Sequence, residues 1–195
     1  MRIYLTPTGK LTCEPPAPQT TVSDLITSIM SFCEQHIDCS ACQNSCCSGL
    51  IVHTDVVFAR NFLAKLRQNT SSPESIELLL HVMRLNDNQH WILTQAASGK
   101  CKFLSAQGRC LIYPLRPLVC QLHTCYPCTD KLTKLKHNLY YAYREALRIE
   151  MQQITGRTSQ PPADWQLNNP LLGMNSYAAN LTAVLNWLAD AASRA

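Results

Sequence analysis

The chain has 195 residues, of which 46% are hydrophobic and only 15% charged, with a formal net charge of +4. That is the size of one domain, or of one domain with a decorated end, and it carries enough apolar material for a sizeable core, which excludes a charge-rich disordered chain. Six glycines argue against Gly-rich phosphate loops and against an all-β design. No run approaches the roughly 18 apolar residues of a membrane span, and MRIYLTPTGKLTCEPP contains no apolar stretch of signal-peptide length, so the expected compartment is the cytosol, without a membrane partner.

The N-terminal segment is Pro-rich and holds Cys13, which reads as a loop thiol. Residues 23–37 place Leu25, Ile26, Ile29, Met30, Cys33 and Ile37 on one helical face, with Ser23 as candidate N-cap and Cys33 as a small buried hydrophobe. A cysteine loop follows. Thr54 or Asp55 then caps a helix, VVFARNFLAKL, and Ser72-Pro73-Glu74 opens a third through Leu78, Leu79, Val82 and Met83. HWILT, 90–94, reads as a short strand. CKFL and RCLIY read as two extended pieces joined by the turn SAQG. The longest helix is expected at about 130–155, ended by Gly156, and a last helix near 176–191. No internal repeat and no low-complexity segment stands out. The expected fold is mainly α: an irregular cysteine-rich metal-binding core (36–128) with a few short strands, wrapped by about five helices, with 130–195 as a C-terminal helical extension of one domain spanning 1–195.

Eleven cysteines are the unusual count. A small secreted protein would use them as a disulfide framework, but this chain has a core large enough without staples, and the number is odd. In a reducing compartment, clustered cysteines point to metal ligands or redox groups. Nine fall in two groups: Cys39, Cys42, Cys46 and Cys47, then Cys101, Cys110, Cys120, Cys125 and Cys128, separated by a cysteine-free stretch from 48 to 100. Scattered core thiols would not segregate in this way.

Cys39-x2-Cys42 lets two sulfurs reach one metal, the knuckle of zinc sites and the repeating unit of iron–sulfur ligation. The adjacent Cys46 and Cys47 point their side chains apart, which suits two centres or one centre plus a reserve thiol; a vicinal disulfide would be a strained ring. Cys120-x4-Cys125-x2-Cys128 coincides with the spacing of plant-type 2Fe–2S ferredoxins. That match weighs lightly, because the loop holds Gln121, Leu122, His123, Thr124, Tyr126 and Pro127 rather than small residues. Neither group alone has a regular tetrahedral zinc layout, so the ligands are expected to converge from both, with metal binding coupled to folding.

Residues 100–136 hold Lys100, Lys102, Arg109, Arg116, Lys131, Lys134 and Lys136 against one acid, Asp130, a net of 7 − 1 = +6. Five cysteines share this segment, and as thiolates they would largely cancel the excess, so charge compensation or solvated lysines are favoured over nucleic-acid binding. The aromatic interleaving of a single-strand stacking platform is missing; Tyr140, Tyr141 and Tyr143 read as helix core and rim. His53 and His123 lie nearest the cysteines, and a surface or capping role is favoured over ligation for both.

The string CxxCxxxCC, the Asp-initiated helix region from Leu50 to Leu66, and C-K-F-L…G-R-C-L-I-Y-P-L-R-P-L-V-C resemble the YkgJ-type cysteine-cluster family, known as a zinc- or iron-chelating domain. The stretch Cys101–Cys120, with Leu104, Gly108, Ile112, Tyr113, Arg116 and Pro117 in place, is its most specific part. The resemblance covers about residues 36–128 and implies a metal site built on the nine grouped cysteines. Gln121 stands where the family pattern often has Arg, which alters a neighbouring contact and removes no ligand. The flagellin lysine N-methylase FliB looks like a much longer relative with a related cysteine cluster, which makes an iron–sulfur centre plausible and raises methyl transfer as a remote alternative.

An all-cysteine ligand set, the Cys46–Cys47 pair and basic compensation favour iron–sulfur, with 4Fe–4S preferred; zinc fits the same ligands as a closed structural site. Arg116 and Pro117 shape the loop before Cys120, and Arg116 is also a candidate donor to a cluster sulfur or a backbone carbonyl. Three functions follow: a metalloprotein with an electron-transfer, maturation or accessory role and an unidentified protein partner; an enzyme working at the metal; or a zinc-stapled interaction module. No dinucleotide or P-loop fingerprint, no HExxH and no GxSxG is present, so catalytic residues are not assignable.

Overall fold

The computed structural model describes residues 1–36, 51–155 and 164–193. The chain begins with a hairpin, β1 (Ile3–Leu5) and β2 (Leu11–Cys13), paired antiparallel with Ile3 opposite Cys13 and Leu5 opposite Leu11. Cys13 is therefore a strand residue and not a loop thiol, and at 1% exposure it belongs to the core. Burial pushes its thiol up, which Lys131 only partly offsets.

Helix α1 (Val22–His36) buries Val22, Leu25, Ile26 and Ile29, the i, i+3, i+4, i+7 stripe of its sequence. Its start lies earlier than Ser23. Thr21 Oγ1 accepts the Asp24 N–H at 3.1 Å while Asp24 Oδ2 accepts the Thr21 N–H at 2.8 Å, so Thr21-x-x-Asp24 closes a reciprocal cap. Helix α2 (Val56–Leu66) is capped by Asp55, whose carboxylate accepts from the Phe58 N–H. Helix α3 (Ser72–Val82) starts with Pro73 in its first turn, where the missing N–H costs nothing. It stops at Val82 because Met83 is already extended: β3 (Met83–Leu85) pairs with β4 (Trp91–Leu93) in a second hairpin, a strand that the helical reading of Met83 had concealed.

The segment expected as two extended pieces forms isolated bridges, Gln95 with Cys101 and Leu104 with Cys110, rather than strands. A 3-10 turn at Tyr113–Leu115 and the single-turn helix α4 (Leu118–Gln121) follow. Helix α5 (Asp130–Thr155) is the spine of the fold, packing against α2, β2, β4 and the C-terminal α7 (Leu181–Ala192), with a short α6 (Asp164–Leu167) between them. Asn180 caps α7, accepting from Ala183 N, so this helix starts five residues later than expected. The starts of α1 and α7 are knitted together by Val22 N to Ala179 O at 3.0 Å and Leu181 N to Thr20 O at 2.8 Å.

Of the cysteine-rich core expected, the first cysteine group lies outside the described residues, and the core seen is that of the described residues. It is aliphatic and aromatic, built from Leu11, Leu25, Ile29, Phe58, Leu79, Met83, Leu118, Leu122, Leu132, Leu139, Tyr143, Leu147, Leu171 and Leu181 among others, while Cys101, Cys120 and Cys128 pack at its margin. Each such fully buried side chain contributes roughly 1.5–3 kcal/mol. Among the described residues, no helix is long and apolar enough to cross a membrane.

Candidate metal centre

The five cysteines of the second group are presented by three kinds of local structure. Cys101 and Cys110 each follow the same small turn. In the first, Ala96 N donates to Lys100 O and Gly99 N to Ala96 O; in the second, Ser105 N donates to Arg109 O and Gly108 N to Ser105 O. Both turns need a left-handed residue, supplied by Gly99 (φ 75°) and Gly108 (φ 74°). Gly-Lys-Cys and Gly-Arg-Cys are thus one device used twice: a glycine to reverse the chain, a cation, then a thiol. Cys101 O accepts from Leu104 N at 3.0 Å, and Leu104 is bridged to Cys110, so the two turns are directly consecutive.

Cys120 rides on α4. That single turn is fixed at its start, where Leu118 N donates to the buried Asp55 Oδ2 at 2.7 Å, and on its flank, where Gln121 Nε2 donates to Arg116 O at 2.6 Å. Arg116 holds the preceding loop. Its Nε donates to Tyr113 O at 3.1 Å, its guanidinium lies 3.7 Å over the Tyr113 ring, and Nη2 is 3.8 Å from Met30 Sδ on α1.

Cys128 is held on the edge of the first hairpin, since Leu11 N donates to Pro127 O and Thr129 N to Leu11 O. Its sulfur lies 3.4 Å from Thr124 Oγ1, whose hydroxyl donates to Tyr126 O at 3.1 Å, and 3.8 Å from Lys136 Nζ, a donor suited to a thiolate. Cys125, in the same loop, is exposed, whereas Cys101, Cys110, Cys120 and Cys128 are half-buried. Cys120 and Cys128 both lie close enough to Tyr140 that their charge, after burial, helps push its hydroxyl above the ordinary tyrosine range. Tyr140 reads from sequence as helix core or rim; it lies four residues after Lys136, on the same face near the start of α5. His123 is held below its ordinary value by burial and by Lys136. His53 stacks edge-on against His90 and is bridged to Ile92, at the second hairpin.

Cys39, Cys42, Cys46 and Cys47 lie outside the described residues. The segment that carries them leaves α1 at His36. There Tyr126, between Cys125 and Cys128, places its hydroxyl 3.5 Å from His36 O and packs edge-on against Phe32 at 5.7 Å. Among the described residues, no three Cys, His, Asp or Glu side chains are arranged to hold a metal ion. The donor set fits a thiophilic metal all the same: half-buried thiols at the core margin, a cation and a hydroxyl beside one sulfur, and basic residues preceding two others.

A family model described as "Putative zinc- or iron-chelating domain", CxxCxxCC, matches residues 38–153. The chain belongs to the CxxCxxCC family. The matched region starts just before Cys39 and takes in all nine grouped cysteines together with α2, α3 and most of α5. In this member the first group reads Cys39-x2-Cys42-x3-Cys46-Cys47, one residue longer before the pair than the family's name. No curated protein and no solved structure matches the chain.

Proposed function

We propose that this CxxCxxCC protein holds an iron–sulfur centre, of the 4Fe–4S type, with ligands drawn from both cysteine groups, and serves in electron transfer, maturation or as an accessory to another protein. The observation that carries this reading is the contact of the end of α1 with Tyr126. Tyr126 lies between Cys125 and Cys128, so the last described residue before the first cysteine group stands against the loop carrying two cysteines of the second, and only Ile37 and Asp38 separate His36 from Cys39 in sequence. The family's zinc- or iron-chelating description supports metal binding in general.

Cys101, Cys110, Cys120, Cys125 and Cys128 would share ligation with Cys39, Cys42, Cys46 and Cys47. A bound iron–sulfur centre supplies one-electron chemistry. The chain's own part is to hold and tune it: Lys136 donates toward Cys128, Tyr140 lies near both Cys120 and Cys128, Asp55 fixes the turn carrying Cys120, and Arg116 fixes the loop before it. Lys136 stabilises negative charge on a bound thiolate.

Zinc is the second reading. The thiols here stand on separate elements, a disposition suited to a staple that ties elements together without redox chemistry. Anaerobic purification with a visible spectrum and metal analysis decides between them. Iron–sulfur gives brown protein whose thiolate-to-iron absorption bleaches on reduction. Colourless protein with stoichiometric zinc overturns the reading in favour of the stapled module.

A further inference from the structure

Farther along α5 lies a second cluster of charge. Tyr141, Arg144, Glu145 and Arg148, at i, i+3, i+4 and i+7, face the turn that joins β3 to β4, and together with Asn88, Gln89, His90 and Trp91 they enclose a cavity of about 160 Å³. At about 30 Å³ per liquid water, that is room for a group of a few heavy atoms.

The charges in its wall are unequal. Glu145 is satisfied: its Oε1 accepts from Arg148 Nε at 2.9 Å, from Arg148 Nη2 at 2.6 Å and from Gln166 Nε2 at 2.7 Å. Arg144 is not. It is half-buried, and among the described residues no carboxylate pairs with it; its guanidinium stands 5.7 Å from the Tyr141 ring. Two arginines against one glutamate leave the wall at +1. Behind His90, the buried Nδ1 of His53 and the indole N–H of Trp91 have no hydrogen-bond partner among the described residues. A half-buried cation whose neighbouring carboxylate, Glu145, is taken up by Arg148 and Gln166, beside unmet hydrogen-bonding groups and a cavity, is an arrangement that an anion completes.

We propose that this cavity is a binding site for a small oxyanion of the phosphate class, with Arg144 as its principal partner and His90, Asn88 and Gln89 as further donors. The planar guanidinium offers paired N–H groups that match two oxygens of such an anion. Its positive charge, together with burial, holds His53 and His90 below the ordinary imidazole range, so a bound anion raises both. Glu145, which pulls His90 the other way, is tied up by Arg148 and Gln166, and Tyr141 closes the opening. The site is independent of the metal reading.

The test uses the full-length, metal-loaded protein and inorganic phosphate. The ring signals of His90 are followed by NMR during the titration, against chloride at matched ionic strength. The expected result is a saturable shift at millimolar phosphate, absent with chloride, with affinity falling about tenfold or more in Arg144→Gln and less in Arg144→Lys, at unchanged metal content. Should Arg144→Gln not fold, Arg144→Lys together with a phosphate-dependent rise in melting temperature of the parent protein carries the comparison. A His90 signal that does not move, or moves equally with chloride or in the Arg144 variants, overturns the proposal.

Discussion

Asp55 caps two helices that lie 63 residues apart: Oδ2 accepts the Leu118 N–H at 2.7 Å, at the start of the turn carrying Cys120, while Oδ1 accepts the Phe58 N–H at 3.0 Å, at the start of α2. The Tyr177 hydroxyl adds a bond from the C-terminal region, 3.1 Å from Oδ1. The carboxylate is thus where α2, the thiol-bearing turn and the C-terminal part of the chain meet. Burial pushes its carboxyl up, and these donors, with the Val57 N–H, pull it back. Asp55→Ala removes the side-chain caps of both helices and strands buried donors. The expected loss is about 3–5 kcal/mol in urea unfolding, from about 1 kcal/mol per cap and about 1–3 kcal/mol per unsatisfied buried group. Metal content should fall with it, because Cys120 loses its anchor. Unchanged stability would show that the α4 turn is held by packing instead.

Four of the five left-handed positions among the described residues allow a cleaner stability test. Gly9, Gly99 and Gly108 occupy φ near +75°, and Gln89 occupies φ 59° in the same kind of turn, Asn86 to His90. A Cβ on any of these glycines meets nothing within 4 Å, so the cost of adding one is purely conformational. Gly108→Ala is expected to destabilise by about 1–2 kcal/mol, and Gln89→Gly to stabilise by up to about 1 kcal/mol. Opposite signs in chemical denaturation confirm the turn assignment; equal signs refute it.

The parts of the fold that rest on long periodic patterns are legible in the sequence. The stripes of α1 and α5 and the Asp55 cap of α2 can be read directly, because burial and capping leave marks at fixed spacing. What escapes is short. Three-residue strands such as Ile3–Leu5 and Met83–Leu85 have no room to show alternation, and their pairing depends on a partner elsewhere in the chain. Thr21 is hidden because Ser23 is an equally good cap until the answering Asp24 is weighed. At the site, the cysteines are legible from their segregation. Tyr140 and Tyr126 are not, because their neighbours at the thiols come from other elements.

The histidines give a pH dependence whose sign is fixed. Burial holds His53, His90 and His123 below their ordinary value. The native protein keeps these rings neutral where the unfolded chain, titrating near 6.5, is already protonated. Just below that pH the unfolded state binds more protons, so stability falls as pH drops from about 6.5 through the native-state values, and rises again toward neutrality. Melting curves recorded between about pH 5 and 8 should show this slope, and His53→Gln with His90→Gln should flatten it. His123 accounts for what remains, and a slope undiminished in the double variant would assign it to other groups.

Lys136 tests the thiol environment directly. Its ammonium lies 3.8 Å from Cys128 Sγ, on the same helix face as Tyr140. Lys136→Met removes that positive charge and keeps the apolar stem. With an iron–sulfur centre, reduction adds negative charge that Lys136 favours, so the potential of the variant should move to a more negative value. With zinc, the same variant should weaken metal retention, because the Cys128 thiolate loses its stabilising cation. Potentiometry on anaerobic protein, or a chelator competition, reads the outcome. Unaltered behaviour in both would mean that Cys128 is not a ligand.

Cys13 and Cys110 should separate folding from metal binding. Cys13 is 1% exposed within the aliphatic core, opposite Ile3 in the first hairpin, and burial keeps its thiol protonated. Cys13→Ser replaces a small hydrophobe by a hydroxyl at a site that burial has made apolar. The expected cost is about 1–3 kcal/mol, with metal content intact. Cys110→Ser alters a half-buried thiol at the core margin, beyond the Gly108 turn. It should lose metal, and with it the free energy by which a metal closes the long chain between the two cysteine groups, a contribution that can reach about 10 kcal/mol for structural sites. The leucine-rich core is built largely from residues outside the cysteine groups, so where the metal's contribution is smaller than the net stability, far-UV circular dichroism should report retained helix while the melting temperature falls. Full collapse of helicity in Cys110→Ser would mean that the metal, and not the aliphatic core, holds α2 and α5 together. If metal content falls in Cys13→Ser but not in Cys110→Ser, the ligand assignment itself is wrong.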